Sequence, residues 1–319
     1  MRAGAGVDSL TLERIEAAEK LIRPWVRCTP ILRLDGAELG LPPGPVVLKL
    51  EQLQHSGSFK ARGAFANLLL RPLPAAGVVA ASGGNHGAAV AYAAQALGVR
   101  ATIFVPTVSS VAKTDRIRGY GADLVVTGQT YSDALDASRD WAASSEALEI
   151  HAFDQVETML GTGTLAIELR RQAPEVGTVM AAVGGGGLLA GIAAGYAGSA
   201  RVVGVEPEAS PTLARALAAG RPVDAPTGGI AVDSLAPRRL GDHTFAVIAG
   251  QGCEVQLVSD DEIRQAQRLL WERLRLVAEP GGCAALAALL SGRLTRTGPG
   301  PVAVVISGAN TTAVTFDLG

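Results

Sequence analysis

TVMAAVGGGGLLAGIAAGYAGSA (178–200) carries no charged residue, spaces Gly187, Gly191 and Gly195 as GxxxGxxxG, and admits two opposite readings. An uncharged stretch of this length could cross a bilayer, with the glycines forming a helix-packing face. Four consecutive glycines in the middle argue against that, because each weakens a helix by about 1 kcal/mol relative to alanine. The stretch reads better as a strand (TVMAAV, 178–183), a glycine turn (184–187) and a helix with a smooth face. Strand, turn and helix in that order form the building block of an α/β protein.

The same alternation extends in both directions. VVLKL (46–50), GVVAAS (77–82), ATIFVP (101–106), ADLVVTG (122–128), RVVGVEP (201–207), CEVQLV (253–258) and PVAVVIS (301–307) are short, β-branched and bounded by Gly or Pro, as buried strands are. Amphipathic stretches lie between them: Ser9 to Arg23, Asn85 to Leu97, Ser109 to Tyr120, Ser132 to Ala143 and Ser259 to Leu276. The pattern predicts an α/β fold with open, twisted, mainly parallel sheets flanked by helices. No linker, repeat or low-complexity tract marks a boundary; GGIAVDSLAPRRLGD (228–242) is the expected long irregular loop.

Composition narrows the partners. With 48% hydrophobic and 18% charged residues the 319-residue chain can bury a large core, and a net charge of −2 offers no footprint for nucleic acid or an anionic membrane. A small-molecule partner is expected. Cys28, Cys253 and Cys283 are odd in number and far apart, which fits a reducing, cytoplasmic setting. The N-terminus becomes charged before any apolar run of signal-peptide length.

In open α/β sheets, ligands bind beyond the carboxyl ends of strands. Three such ends carry glycine-rich or small polar turns: SGGNHG (82–87), GGGG (184–187) and SGAN (307–310). GGGG suits a phosphate, because backbone N–H groups can converge where no side chains stand and the helix start adds a positive dipole. It lacks the Lys-Ser/Thr of a Walker A sequence and the spacing of GxGxxG, so a nucleotide is disfavoured. Lys60, in HSGSFKARGA (55–64), is one of four lysines in a chain where 24 of 28 basic residues are arginine. A lysine amine can form a Schiff base with a carbonyl, and a phosphate-bearing aldehyde cofactor needs both that lysine and an anion cradle. Taken singly, GGGG could be a tight turn, Lys60 a solvated helix-start residue, Phe59 core and Asn85 a helix N-cap.

Taken together, CTPILRL (28–34), LKLEQLQHSGSFKARGA (48–64), SGGNHGAAVAYAAQALGV (82–99), GTGTLAIEL (161–169), VGGGGLLAGIA (183–193), GVEPE (204–208), WERLRLVAEPGG (271–282) and SGAN resemble the fold-type II pyridoxal-phosphate enzymes, most closely the serine/threonine dehydratases and serine racemase. The likeness spans nearly the whole chain. It implies that Lys60 carries pyridoxal 5'-phosphate, that Phe59 packs on its ring and that Asn85 bonds its phenolic oxygen. It further implies that Gly184, Gly185, Gly186, Gly187 and Leu188 hold the phosphate through N–H groups, and that Ser307 faces the pyridine nitrogen. Ser82, Gly84, Asn85 and His86 match the loop that grips the substrate carboxylate. The implied architecture is a large domain of residues 1–71 and 149–319, a small inserted domain of 72–148, and a homodimer.

A neutral Ser307 makes the cofactor a weaker electron sink than an aspartate would, favouring prompt expulsion of a β-substituent. The expected reaction is dehydration and deamination of L-threonine or L-serine. Racemisation needs a second acid/base on the opposite face; the racemase likeness would put a serine at Gly83, so little racemisation is expected. A divalent-cation site of the racemase-like branch retains Glu206 but has Thr212 in its second acidic position, so no metal is assigned. Gly228 and Gly229 replace a more acidic pattern, leaving 3-hydroxyaspartate or phenylserine open as substrates, with Arg238 or Arg239 as partners for an acidic group. His55, His151 and His243 show no ligand spacing, and Glu279 in EPGG matches a family position near the cofactor, although a helix-start carboxylate is an adequate structural explanation. No regulatory extension is expected after SGAN. The rival class is a nucleotide- or ligand-binding module without catalysis, which would be colourless.

Overall fold

A computed structural model of the chain describes residues 9–235, 237–294 and 300–311. The first eight residues of the N-terminal stretch, Ala236 of the irregular loop and the residues after Thr311 lie outside these. The described strands are β1 (Ile31–Asp35), β2 (Pro45–Leu50), β3 (Val78–Ala81), β4 (Ala101–Val105), β5 (Asp123–Val126), β6 (Leu148–Glu149), β7 (Thr178–Ala182), β8 (Arg201–Pro207), β9 (Glu254–Val258) and β10 (Val302–Ile306). They form a six-stranded sheet in the order β1-β2-β10-β7-β8-β9 and a four-stranded sheet in the order β5-β4-β3-β6. Only β1 runs antiparallel to its neighbour, pairing Ile31 with Lys49. Every expected strand is present. β1 and β6 were not anticipated: one is a half-exposed edge strand of five residues without a continuous apolar run, the other has two residues.

The apolar runs of the inner strands follow from burial on both faces. In the larger sheet Val47, Val179, Ala181, Ala303 and Val305 point to one core, with helices Leu12–Ile22, Val156–Gln172 and Gly187–Tyr196. Their neighbours Val46, Leu48, Met180, Val304 and Ile306 point to the other, under helices Asp260–Leu274 and Pro280–Leu290. The smaller sheet packs Val78, Ala80, Ile103 and Val105 against helices Lys60–Leu70 and Asn85–Leu97. Its core thus draws in Ala61, Phe65 and Leu68, ahead of position 72.

The GxxxGxxxG spacing serves helix packing inside the larger sheet's core. A Cβ at Gly191 would lie 2.3 Å from Thr162 Oγ1, and one at Gly195 2.6 Å from Ala166 Cβ. Close backbone approach of helices Val156–Gln172 and Gly187–Tyr196 is the reason for the glycines. No described helix is long and apolar enough to cross a membrane.

A buried charge network fixes the helix that begins at Lys60. Arg62 grips Glu51 through two bonds of 2.8 and 2.7 Å and reaches Glu168 at 3.1 Å. Lys49 also pairs with Glu168, and Thr29 donates to Glu51. Burial pushes the Glu51 carboxyl up, but the adjoining Arg62 outweighs it and holds the group below its usual range.

Candidate active site

Lys60 opens the helix Lys60–Leu70, and its Nζ donates to Ala152 O at 2.6 Å while lying 5.1 Å from the centre of the Phe59 ring. Burial pushes this amine down to about 8, since nothing anionic offsets the loss of water around it. The loop before it is sewn to the end of β10. Phe59 N donates to Ser307 O at 3.1 Å, Ala309 N donates to Gly57 O at 3.0 Å, and Ser58 bridges Gly308. Gly57 is needed at this contact: its φ is +78°, and a Cβ would meet Asn310 Oδ1 at 2.3 Å.

The glycine turn follows β7 and starts the helix Gly187–Tyr196, whose first N–H groups have no intrahelical partner. Gly186 has a φ of +91°, and Cβ atoms at Gly185 and Gly187 would lie 2.2 Å from Phe153 Cγ and 2.9 Å from Phe153 Cα. Segment 151–154 therefore joins the two halves of the site, contacting Lys60 through Ala152 and the glycines through Phe153. Asp154 anchors this segment by accepting bonds from the N–H groups of Asp242, His243 and Thr244 at 3.1, 2.9 and 3.0 Å. Thr244 Oγ1 then donates to Gly185 O at 2.9 Å.

Loop 82–86 follows β3. Ser82 Oγ accepts from Gly84 N at 3.2 Å, and Gly84, not Asn85, is the N-cap of helix Asn85–Leu97. Asn85 is instead held at both ends of its amide, donating to Glu279 and accepting from Asn310. His86 is buried with Nε2 at 2.9 Å from Ile150 O; a carbonyl only accepts, so Nε2 carries the proton. Burial, with Lys60 nearby, pushes His86 down to about 3, and its ring is neutral at ordinary pH. Its backbone N–H, in the first turn of the helix, stays open to an anion.

Thus Phe59, Lys60, Asn85, Ser307 and the loop Ser82–His86 converge from distant parts of the chain, and segment 151–154 connects Lys60 to Gly184–Leu188. Three sequence expectations need correction. Glu279 caps no N–H of its helix with its side chain; that carboxylate serves Asn85. Arg238 and Arg239 are not aimed at the site: they pair with Asp224 and Asp242, at 3.4 and 3.3 Å, on the surface. The loop around them is not wholly irregular, since Val232–Leu235 forms a helical turn. Glu206 accepts from Leu213 N at 2.6 Å and Ala214 N at 3.0 Å, and Thr212 Oγ1 donates to Pro237 O at 3.0 Å. Ala152, Phe153 and Asp154 were not anticipated, because segment 151–154 belongs to no periodic element, nor was Thr244, in the helix Asp242–Gly250.

The donor set fits a phosphorylated aldehyde: a desolvated primary amine, a turn in which Gly185 and Gly187 leave no room for a Cβ, and an aromatic face in Phe59 beside the amine. Ser58 Oγ is buried without a hydrogen-bond partner, and Ser307 Oγ has none among the described residues. Two sheets joined around such a lysine define a fold-type II pyridoxal-phosphate enzyme.

Comparison with known proteins agrees. The family model described as "Pyridoxal-phosphate dependent enzyme" matches residues 22–308, and the chain belongs to that family. It is 37% identical to phenylserine dehydratase of Ralstonia pickettii, over 97% of both chains. Among solved structures it is similar to maize serine racemase (TM-score 0.89, 30% identity, covering 95% of this chain and 94% of that one). It is likewise similar to the threonine deaminase of T.th. (TM-score 0.87, 37% identity, covering 96% and 100%). Its cofactor is pyridoxal 5'-phosphate.

Proposed function

We propose that this chain dehydrates and deaminates a β-hydroxy amino acid, L-threonine or L-serine in the first instance, to a 2-oxo acid and ammonia. The observation that carries the reading is the partly buried Lys60 amine, pushed down to about 8, beside a glycine cradle at the end of β7. The named relatives, a threonine deaminase and a phenylserine dehydratase, support the reaction type.

The cofactor, when bound, supplies an electron sink for the pair left when a Cα–H bond breaks. Lys60 Nζ would hold the cofactor aldehyde and, as a free amine, would take the Cα proton; its lowered affinity for protons leaves a useful fraction of free base near neutral pH. N–H groups of loop 82–86 hold the α-carboxylate at the start of helix Asn85–Leu97. Asn85, fixed by Glu279 and Asn310, would bond a ring oxygen of the cofactor. Ser307 would face the ring nitrogen of the cofactor with an uncharged hydroxyl, which would favour departure of the β-hydroxyl as water. Gly83 brings no hydroxyl of its own. Ser109 Oγ lies 2.4 Å from where its Cβ would be, so Ser109→Ala is the natural control for any racemisation.

The reading extends to a small domain of 72–148 closing on a large one of 1–71 and 149–319, in a homodimeric cytoplasmic enzyme with three free thiols. It is tested by borohydride reduction of the yellow protein, peptide mapping of the label to Lys60, and 2-oxo acid release across β-hydroxy amino acids of both hands. A colourless protein, or a label on another lysine, would refute it.

A further inference from the structure

A second cavity, of about 240 Å3, is lined by residues of the helices Leu12–Ile22 and Val156–Gln172, together with Arg23, Cys28 and Arg62. In its depth the charges balance, since the buried Lys49 and Arg62 are matched by Glu51 and Glu168. Nearer the surface they do not. Arg23 and Arg171, both about half exposed, donate to the same oxygen, Glu19 Oε1, Arg171 from 2.9 Å. Burial pushes the Glu19 carboxyl up, but the two guanidiniums outweigh it and hold the group below its usual range, so it is ionised. The Glu19 side chain is only 8% exposed, and its Oε2 is buried with no hydrogen-bond partner among the described residues. Each guanidinium spends one nitrogen on Glu19 and keeps the rest of its fork of donors.

The geometry points to this cavity as a binding site for a free α-amino acid with an apolar side chain, apart from the catalytic centre. A buried carboxylate with one bare oxygen calls for a charged donor, because leaving that oxygen unmet is costly. Two guanidiniums sharing one carboxylate leave a positive charge in excess, which calls for a second carboxylate and can take it through paired N–H bonds. Glu19 touches both arginines, so the ammonium and the carboxylate of the ligand must be neighbours, as they are on a single α-carbon. Ile22 and Val26, linked by a bond of 3.2 Å from Val26 N to Ile22 O, give the cavity an apolar side for the side chain. Arg62 lines the same cavity two residues after Lys60, so an occupant lies against the helix that carries the reactive amine. The inference does not depend on the dehydratase reading.

Cys28 makes the site observable, since it lines the cavity and is exposed while Cys253 and Cys283 are buried. The holoenzyme is alkylated with iodoacetamide, and the rate at each cysteine is read by peptide mass spectrometry with and without L-valine, which has no β-substituent to lose. L-valine is expected to slow labelling of Cys28 specifically. Isobutylamine and isovalerate, which each lack one of its two charges, leave the rate unchanged at the same concentration. Arg171→Gln and Glu19→Gln each raise the L-valine concentration needed for protection by about 10- to 100-fold. Arg171 is half exposed, so its variant carries the test if the Glu19 variant fails to fold. Cofactor absorbance, followed in parallel, reports any L-valine entering the catalytic centre, and Arg171→Gln leaves that signal unchanged. Four results would overturn the inference: Cys28 that does not label in the ligand-free protein, labelling indifferent to L-valine, protection that survives Arg171→Gln, or equal protection by either singly charged analogue. None of them touches the dehydratase reading, which stands or falls on the label at Lys60 and on 2-oxo acid release.

Discussion

The free amine of Lys60 is expected to react with pyridoxal 5'-phosphate in a pH range where an ordinary lysine is inert. Only the neutral amine attacks an aldehyde, so loading of the apoprotein must rise with pH and level off above the group's pKa. With the amine pushed down to about 8 from 10.5, about a quarter is neutral at pH 7.5, against about one part in a thousand for an unperturbed lysine. The gain is about 200-fold in reactive form, and its cause is burial. The assay is stopped-flow absorbance of apoprotein mixed with cofactor between about pH 6.5 and 10.5, with Lys60→Ala as the blank. A midpoint near 8 is expected; one above about 10 would show that Lys60 is solvated and refute the reasoning. The same shift has a stability consequence. Between about 8 and 10.5 the unfolded chain holds a proton on this lysine that the folded chain has lost, so apoprotein stability rises with pH across that window, and Lys60→Met abolishes this contribution.

Other perturbations test the surrounding structure. Gly185→Ala, whose Cβ would lie 2.2 Å from Phe153 Cγ, should weaken cofactor binding by about 10-fold or more in a fluorescence titration, with the added Phe153→Ala relieving the clash. Arg62→Ala leaves Glu51 and Glu168 facing each other in the interior and should cost about 3–5 kcal/mol in urea unfolding. Glu206 is fully buried and pushed up to about 7 from 4.5. The folded chain keeps a proton there that the unfolded chain releases, so stability falls as pH rises from about 4.5 to 7, by up to about 3 kcal/mol; Glu206→Gln should flatten that slope.

The helix Asn85–Leu97 is legible to the residue, because glycine lies on either side of its periodic run. β1 is not, although CTPILRL stands out as a motif: a half-exposed edge strand has neither a continuous apolar run nor a clean alternation. The glycine run is legible as a turn from strand to helix, yet Phe153, which packs on it, is invisible, since an aromatic in an irregular segment has no periodicity to betray it. Glu279 is legible both as a helix start and as a position near the site, but its partner is not. A carboxylate ahead of a helix ordinarily caps it, and only the approach of Asn85 from the smaller sheet draws it away.

Local order along the chain therefore determined the α/β alternation and marked Lys60 and the glycine turn as candidates for a cofactor site, because burial period, glycine freedom and amine chemistry are properties of neighbouring residues. Tertiary structure decided which charges are spent and which are free. Arg238 and Arg239 stand in the more suggestive stretch of sequence, but folding gives them surface partners in Asp224 and Asp242, while Glu279, at a helix start, is turned to Asn85. Pairing of charges depends on what lies within a few ångströms in space, and no spacing along the chain encodes that distance.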